Sequence, residues 1–262
     1  MTEPKTITSL QNPLVKKVLA LKEKSRERKK TGLFVIEGLR ELQLAVKGGY
    51  PIETLLVCTE IAGTQDIKGL RTPMIQITKG VYEKLAYRGG TEGILALAQS
   101  KTHDLNHLEF GKNPLILVAE SPEKPGNLGA LLRTADAANI DAVLVADPKS
   151  DLYNPNVIRS SVGCLFTTQV GLGSSAEIIE FLKNKDIAIF SAALSASQNY
   201  VDVDFKKPTA IVVGTESTGL TQQWLAHSHQ NIIIPMQGEI DSMNVSVSAA
   251  ILIFEAKRQR GF

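Results

Sequence analysis

Cysteine is scarce in this sequence. The 262 residues hold two, Cys58 and Cys164, too few and too far apart for a disulfide framework or a cysteine metal site. Both sit in apolar runs, the setting of buried free thiols in a reducing compartment. No apolar run approaches the roughly 20 residues that cross a bilayer. The opening MTEPKTITSLQ lacks the apolar stretch of a signal peptide. These absences predict a cytoplasmic protein with no membrane partner.

Several catalytic signatures are missing too. No G-x-G-x-x-G follows the first strand of either half, and no G-x-x-x-x-G-K-S/T occurs. A G-x-S-x-G elbow and a Ser-His-Asp signature are also absent. His103 and His107 lie four apart, but no acid or cysteine stands at a metal-ligand spacing from them, so no metal is expected. His227 and His229 follow a predicted helix and are expected on its exposed end. Any chemistry must rest on backbone amides, Asn, Ser, Glu and Arg.

Charge is balanced overall, at a formal +2, but not along the chain. Residues 1–40 carry ten Lys/Arg against four Asp/Glu, and the remainder nineteen against twenty-three. Most of the surplus lies in KKVLALKEKSRERKK, residues 16–30. Such a run is either a solvated helix face with Glu/Lys spacing or an arm that contacts phosphates.

The spacing of apolar residues predicts an α/β protein in two parts. Asn12-Pro13 opens a helix with Leu14, Val18 and Leu21 on one face. FVIEG reads as a strand, and LRELQLAVKG as a helix ended by Gly48-Gly49. TLLVC, MIQIT and GILALA read as strands, with VYEKLAY a short helix. Residues 99–114 read as a solvated linker, the domains being 1–104 and 115–262 with 105–114 between them. Alternation then resumes: PLILVAE, AVLVAD, FTTQV, IAIFSAA, AIVVGTE and NIIIP as strands, with helices between them and a long helix at the end. Short apolar strands separated by helices predict a parallel sheet covered on both faces, with ligands at the loops after strand carboxyl ends.

Three polar loops leave such ends. In ESPEKPGNLGALLRTADAANI, Asn127 is placed to cap a helix, and Arg133 projects from that helix as either a snorkelling cation or a functional one. In GTESTGLT, Gly214 and Gly219 permit a tight turn and Thr221 can cap the next helix, while Glu216 has no evident structural reason. In IPMQGEIDSMNVSV, a polar loop far longer than a turn requires separates a strand from the terminal helix.

Together these loops resemble the SpoU (TrmH-like) family of RNA ribose 2'-O-methyltransferases, in the SPOUT superfamily. The N-x-G-x-x-x-R core reads as Asn127, Gly129 and Arg133. G-x-E-x-x-G-L/M is met by Gly214, Glu216, Gly219 and Leu220, and the third motif runs from Ile234 through Val247. The N-terminal half, through ITSLQNPLVKKVLAL and FVIEGLREL, resembles the RNA substrate-binding domain often fused to this family, an α/β unit related to a ribosomal protein fold.

The resemblance implies a parallel-sheet domain with a deep trefoil knot, plus a smaller N-terminal RNA-binding domain. It implies S-adenosylmethionine as cofactor, contacted by Gly214, Ile234 and Met243, and a homodimer through the C-terminal half. Many relatives have leucine at the position of Met243, a volume-conserving difference. It implies that Arg133 meets the target hydroxyl, that Asn127, Ser242 and Asn244 position the ribose, and that Glu216 holds Arg133 or a neighbour. Ser246 and Ser248 are expected to pack or cap. The expected substrate is RNA, large-subunit ribosomal RNA before transfer RNA. Two other classes compete: a non-catalytic RNA-binding factor, which would not need these five polar residues together, and a nucleotide-dependent oxidoreductase, which would need the missing glycine fingerprint.

Overall fold

Asn12 starts the first helix as its sequence predicts: its side chain accepts the Leu14 N–H at 2.9 Å, and Pro13 occupies the first turn. The computed structural model describes residues 6–62, 72–87, 92–194, 197–215, 217–239 and 242–262. Within them the chain divides into two units, the first built from residues up to Lys101 together with Leu152–Thr167.

In chain order the first unit contains β1 (Thr6–Ile7), α1 (Pro13–Glu23), α2 (Ser25–Thr31), β2 (Leu33–Glu37), α3 (Leu39–Lys47), β3 (Ile52–Val57), β4 (Met74–Ile77), α4 (Lys79–Leu85) and β5 (Ile94–Gln99). Its sheet has the order β1-β4-β3-β5-β2, with β5 antiparallel to both neighbours. Val15, Val18 and Leu21 of α1 are buried against Leu33, Val35 and Leu97 of that sheet, and Leu14 packs at the margin. The basic run is not a uniform solvated face. Arg28 is only 5% exposed; its guanidinium donates to the carbonyls of Leu21 and Lys22 and so closes the end of α1.

The chain continues through β6 (Leu115–Glu120), α5 (Pro125–Ala137) and β7 (Ala142–Ala146) before α6 (Pro155–Ser160) returns to the first unit. There Phe34 stacks on Tyr153 with ring centroids 4.4 Å apart, and Tyr50 meets Phe166 edge-on at 5.1 Å. A side chain at Gly48 would place its Cβ 1.9 Å from the Phe166 carbonyl oxygen, so only glycine allows this approach. Cys58 and Cys164 are both buried, and neither is in a disulfide.

The second unit adds β8 (Val170–Gly173), α7 (Ser175–Asn184), β9 (Ala188–Ala192), β10 (Gln198–Asn199), β11 (Thr209–Val213), α8 (Gln222–His227), β12 (Gln230–Ile233) and α9 (Val245–Arg260). Its sheet is parallel throughout, in the order β10-β12-β9-β11-β6-β7-β8. All side chains of β6, β7 and β11 are buried, as two-sided coverage requires. α9 packs on α5 through a buried set including Ala249, Leu252, Ile253 and Ala256. Its end is held by Arg260, which donates to Phe205 O at 2.7 Å and Asn113 O at 2.9 Å. Burial lowers the pKa of that guanidinium.

Two expectations need correction. The strand expected at FTTQV begins only at Val170, because Phe166 ends a 3-10 turn and turns its ring into the first unit's aromatic cluster. The expected linker is exposed over most of its length, but it is anchored rather than free: the His103 carbonyl accepts the Leu172 N–H at 2.8 Å, and Leu108 is buried in the second unit's core. Among the described residues no helix is long and apolar enough to cross a membrane.

Candidate active site

Because β12, β9 and β11 are parallel neighbours, the loops after them leave the same edge of the sheet. A cavity of about 440 Å³ lies there. Leu194 follows β9 into its wall, Gly214, Thr218 and Leu220 follow β11, Ile234 and Met236 follow β12, and Ser242 and Met243, just before α9, close it together with Ser248 of that helix. None of the described lining residues carries a charge. Gly214, Ile234 and Met243, far apart in sequence, thus face one space, and Ser242 joins them. Ser248, expected only to pack or cap, also faces it.

The loop after β11 is folded on itself. Thr215 and Gly219 exchange N–H and C=O bonds at 3.1 Å, and Gly219 has φ +66°. A Cβ on Gly214 would lie 2.3 Å from the Gly219 carbonyl group and 2.5 Å from Leu220 N. Glycine at 214 is what lets the pinched loop close. Glu216 lies outside the described residues.

Pro125 occupies the first turn of α5, and Lys124 is the capping position. Asn127 therefore sits inside the first turn and is not the cap expected of it. Its Oδ1 instead accepts a hydrogen bond from Asn244 Nδ2 at 3.2 Å. Asn244 is itself the cap of α9, its Oδ1 accepting from Ser246 N at 3.0 Å and Ser246 Oγ at 2.6 Å. The first and third polar loops meet through this pair. Asn127 also lines a small recess beside the main cavity, shared with Gly214 and Thr215.

Glu120 closes β6 and is 3% exposed. It accepts Thr221 N–H at 2.9 Å and Thr221 Oγ1–H at 2.7 Å. Thr221 opens α8, but its side chain goes to Glu120 rather than to the helix. This clasp anchors the end of the pinched loop. The sequence signal for it was present, a carboxylate ending the wholly apolar strand LILVA, but its partner lies 101 residues away.

Arg133 lies on the exposed face of α5, away from the buried Leu128, Leu131, Leu132 and Ala135. It lines neither the cavity nor the recess. Among the described residues, no hydrogen bond or ion pair holds its guanidinium. His227 and His229 are exposed and lie outside the cavity wall.

Residues 114–254 match the SpoU rRNA Methylase family. The chain belongs to the SpoU family. Residues 12–96 match the MRM3-like substrate binding domain. The 23S rRNA (guanosine(2553)-2'-O)-methyltransferase RlmP of Bacillus subtilis is 28% identical over 254 residues, covering 97% of this chain and 99% of its own. A crystal structure of an RNA 2'-O ribose methyltransferase superposes with a TM-score of 0.86 at 38% identity, over 97% of this chain and 99% of that one. The SpoU methyltransferase AviRb from Streptomyces viridochromogenes, in complex with AdoMet, gives a TM-score of 0.89 at 27% identity, over 95% and 98%. In this SpoU chain the described motif residues fall into two sets. Gly214, Ile234, Ser242 and Met243 face the cavity, whereas Asn127, Asn244 and Arg133 belong to the α5 side.

Proposed function

We propose that this SpoU protein transfers a methyl group from S-adenosylmethionine to a ribose 2'-hydroxyl of large-subunit ribosomal RNA. The observation that carries the proposal is the convergence of Gly214, Ile234 and Met243 on one cavity. Its volume of about 440 Å³ falls within the roughly 300–1,000 Å³ of small-molecule sites. Its apolar walls suit an adenine ring, its backbone groups and hydroxyls suit polar edges, and its lack of charged described residues leaves no cation to repel a sulfonium. The residues present fit the cofactor, with Gly214, Ile234 and Met243 as its holders. When bound, S-adenosylmethionine supplies an activated methyl group.

The protein's own task is then alignment and the handling of one proton. Asn127, Ser242 and Asn244 position the ribose and its backbone. Arg133 contacts the phosphate and the 2'-hydroxyl, its planar fork suited to bridging them. A guanidinium has no free lone pair at neutral pH, so we assign Arg133 an orienting role. Glu216 is assigned to hold Arg133 or a polar neighbour. The domain at 12–96 binds the RNA, supported by its match to a substrate binding domain. RNA as substrate is further supported by the activities of similar proteins.

We further infer a trefoil knot in the C-terminal half, a cytoplasmic location, and a homodimer through α9. Val247 and Phe254, seven residues apart on one helix face, are 47% and 40% exposed, and the Phe262 ring lies 6.4 Å from Phe254. Ile253 on the same helix is fully buried, so the exposed apolar stripe is narrow. A stable monomer in light scattering at micromolar concentration would remove the dimer. The function itself is tested by calorimetric titration with S-adenosylmethionine and by mapping 2'-O-methyl sites in ribosomal RNA from cells with and without the gene. Absence of cofactor binding, or identical methylation maps, would refute it.

A further inference from the structure

The first unit holds a cavity of its own, of about 310 Å³, lined by none of the residues assigned to the proposed active site. Val35 and Ile158 give it an apolar floor. Tyr87 stands at its wall with 53% of its surface exposed, unusually open for an aromatic side chain. Two cations lie over that ring, the Arg159 guanidinium 4.9 Å and the Lys22 ammonium 6.0 Å from its centroid, and Arg159 is itself held by donating to Asn156 Oδ1 on its own helix at 2.7 Å.

Among the described residues three carboxylates face this space, and two are engaged by other residues. Glu37 accepts Tyr87 N–H at 2.9 and 3.0 Å and pairs with Lys22 at 3.0 Å. Glu92 accepts the Leu39 N–H at the start of α3. Glu41 is half-buried, and among the described residues it receives no hydrogen bond from another residue. Burial raises its pKa, and repulsion from Glu92 and Glu37 adds to this, against a hydrogen bond from its own backbone N–H and the nearby Arg40. A ligand that brings hydrogen-bond donors would relieve it.

We propose that this cavity receives one unstacked guanine of the RNA, with its face on Tyr87 and its Watson–Crick edge on Glu41. The inference rests on the RNA reading above. Single-stranded RNA is recognised through splayed bases stacked on aromatic and guanidinium planes, and the volume admits one base rather than a helix. Guanine alone presents two adjacent donors, N1–H and N2–H, to a carboxylate that accepts through two oxygens. Uracil sets its single N3–H between two carbonyls, which a carboxylate repels. Adenine and cytosine each pair one amino group with an acceptor.

The test uses the full chain and fluorescein-labelled pentauridines whose central nucleotide is U, C, A, inosine or G, read by fluorescence polarisation. The central-G probe is expected to bind at least about fivefold tighter than the all-U probe, the scale of one net hydrogen bond to Glu41. Inosine, lacking the 2-amino group, should fall between. Tyr87→Ala and Glu41→Gln should each erase the preference and Tyr87→Phe should keep it, with melting curves confirming that every variant folds. Equal binding of all five probes, or a G preference that survives Tyr87→Ala and Glu41→Gln, would overturn the proposal. Cofactor titration and ribosomal RNA methylation are scored separately. Methylation without a G preference refutes this inference alone, and a G preference without cofactor binding refutes the proposed function alone.

Discussion

Asn127 and Asn244 stand 117 residues apart in sequence and join side chain to side chain at 3.2 Å. One amide group of Asn244 thereby does two things, capping α9 with its oxygen and reaching α5 with its nitrogen. The contact ties the start of the terminal helix to the first turn of α5.

The two roles of Asn244 separate by mutation. Asn244→Ala should lower stability by about 1 kcal/mol through the lost cap, whereas Asn127→Ala removes no cap and should cost less. Both should slow methyl transfer. Chemical denaturation of the single and double variants gives the coupling between the side chains. A coupling of zero would mean that the contact contributes nothing to the fold.

Gly214 and Gly219 lie in the same loop and should respond differently to alanine. At Gly214 the new Cβ would meet the backbone of Gly219 and Leu220 at 2.3–2.5 Å. Neither neighbour is a flexible side chain, so the loop must open. At Gly219 nothing lies within 4 Å, and only the positive φ of 66° opposes the change, at about 1–2 kcal/mol. Gly214→Ala should reduce S-adenosylmethionine affinity more than tenfold and Gly219→Ala much less. Calorimetry on the two variants decides, and equal losses would show that the close approach is not what shapes the cavity.

Much of this architecture was legible in the sequence, because the strands LILVAE, AVLVA and TAIVV are buried on both faces and so read as unbroken apolar runs. Gly214, Ile234 and Met243 on the cavity wall were legible through the motifs that contain them, whereas Leu194 was not. Other features carry no local signal. Nothing near Tyr153 or Phe166 says that their rings pack on Phe34, far earlier in the chain. The position of Asn127 inside the helix follows from Pro125 occupying the first turn, and capping preference alone misread it. Arg28 was misjudged because a charge run treats its cations alike, while burial distinguishes them.

That distinction changes what the basic segment predicts. Lys16, Lys17, Lys24, Arg26, Lys29 and Lys30 are exposed, whereas Arg28 holds two carbonyls and Lys22 holds Glu37 and the Leu85 carbonyl. Replacing the six exposed residues by glutamine should weaken RNA binding and flatten its dependence on salt, since fewer counterions are released. Cofactor affinity should stay unchanged. Arg28→Ala should instead destabilise the first unit by about 2 kcal/mol, the scale of a charged hydrogen bond lost from a buried site. Binding isotherms at several salt concentrations, set beside denaturation curves, check both. An unaltered salt slope would return the segment to a solvated face.

Glu120 predicts a defect transmitted through Thr221. Its carboxylate accepts two hydrogen bonds from one residue, and glutamine offers one oxygen and turns an N–H group on the second donor. Glu120→Gln should cost about 1–3 kcal/mol and loosen the loop whose end Thr221 anchors, weakening cofactor binding. Thr221→Ser, which keeps both donors, should behave like the native protein. If Thr221→Ser matched Glu120→Gln in cofactor titration, the clasp would not be the cause.

The sharpest prediction concerns Arg133, whose exposed guanidinium is held by nothing among the described residues. If its role were attraction of phosphate alone, Arg133→Lys would keep most of the methylation rate, because one positive charge remains. If its planar fork orients the hydroxyl, lysine and alanine should both lose about a hundredfold or more, the scale of a positioned acid-base or orienting group. The second outcome is expected. S-adenosylmethionine binding should stay near native in both, since Arg133 lines neither the cavity nor the recess beside it. Single-turnover methyl transfer to ribosomal RNA, run beside a cofactor titration, separates the cases. A lysine variant with near-native turnover would remove Arg133 from the catalytic set, and loss of cofactor binding in both variants would make it part of the fold that shapes the cavity.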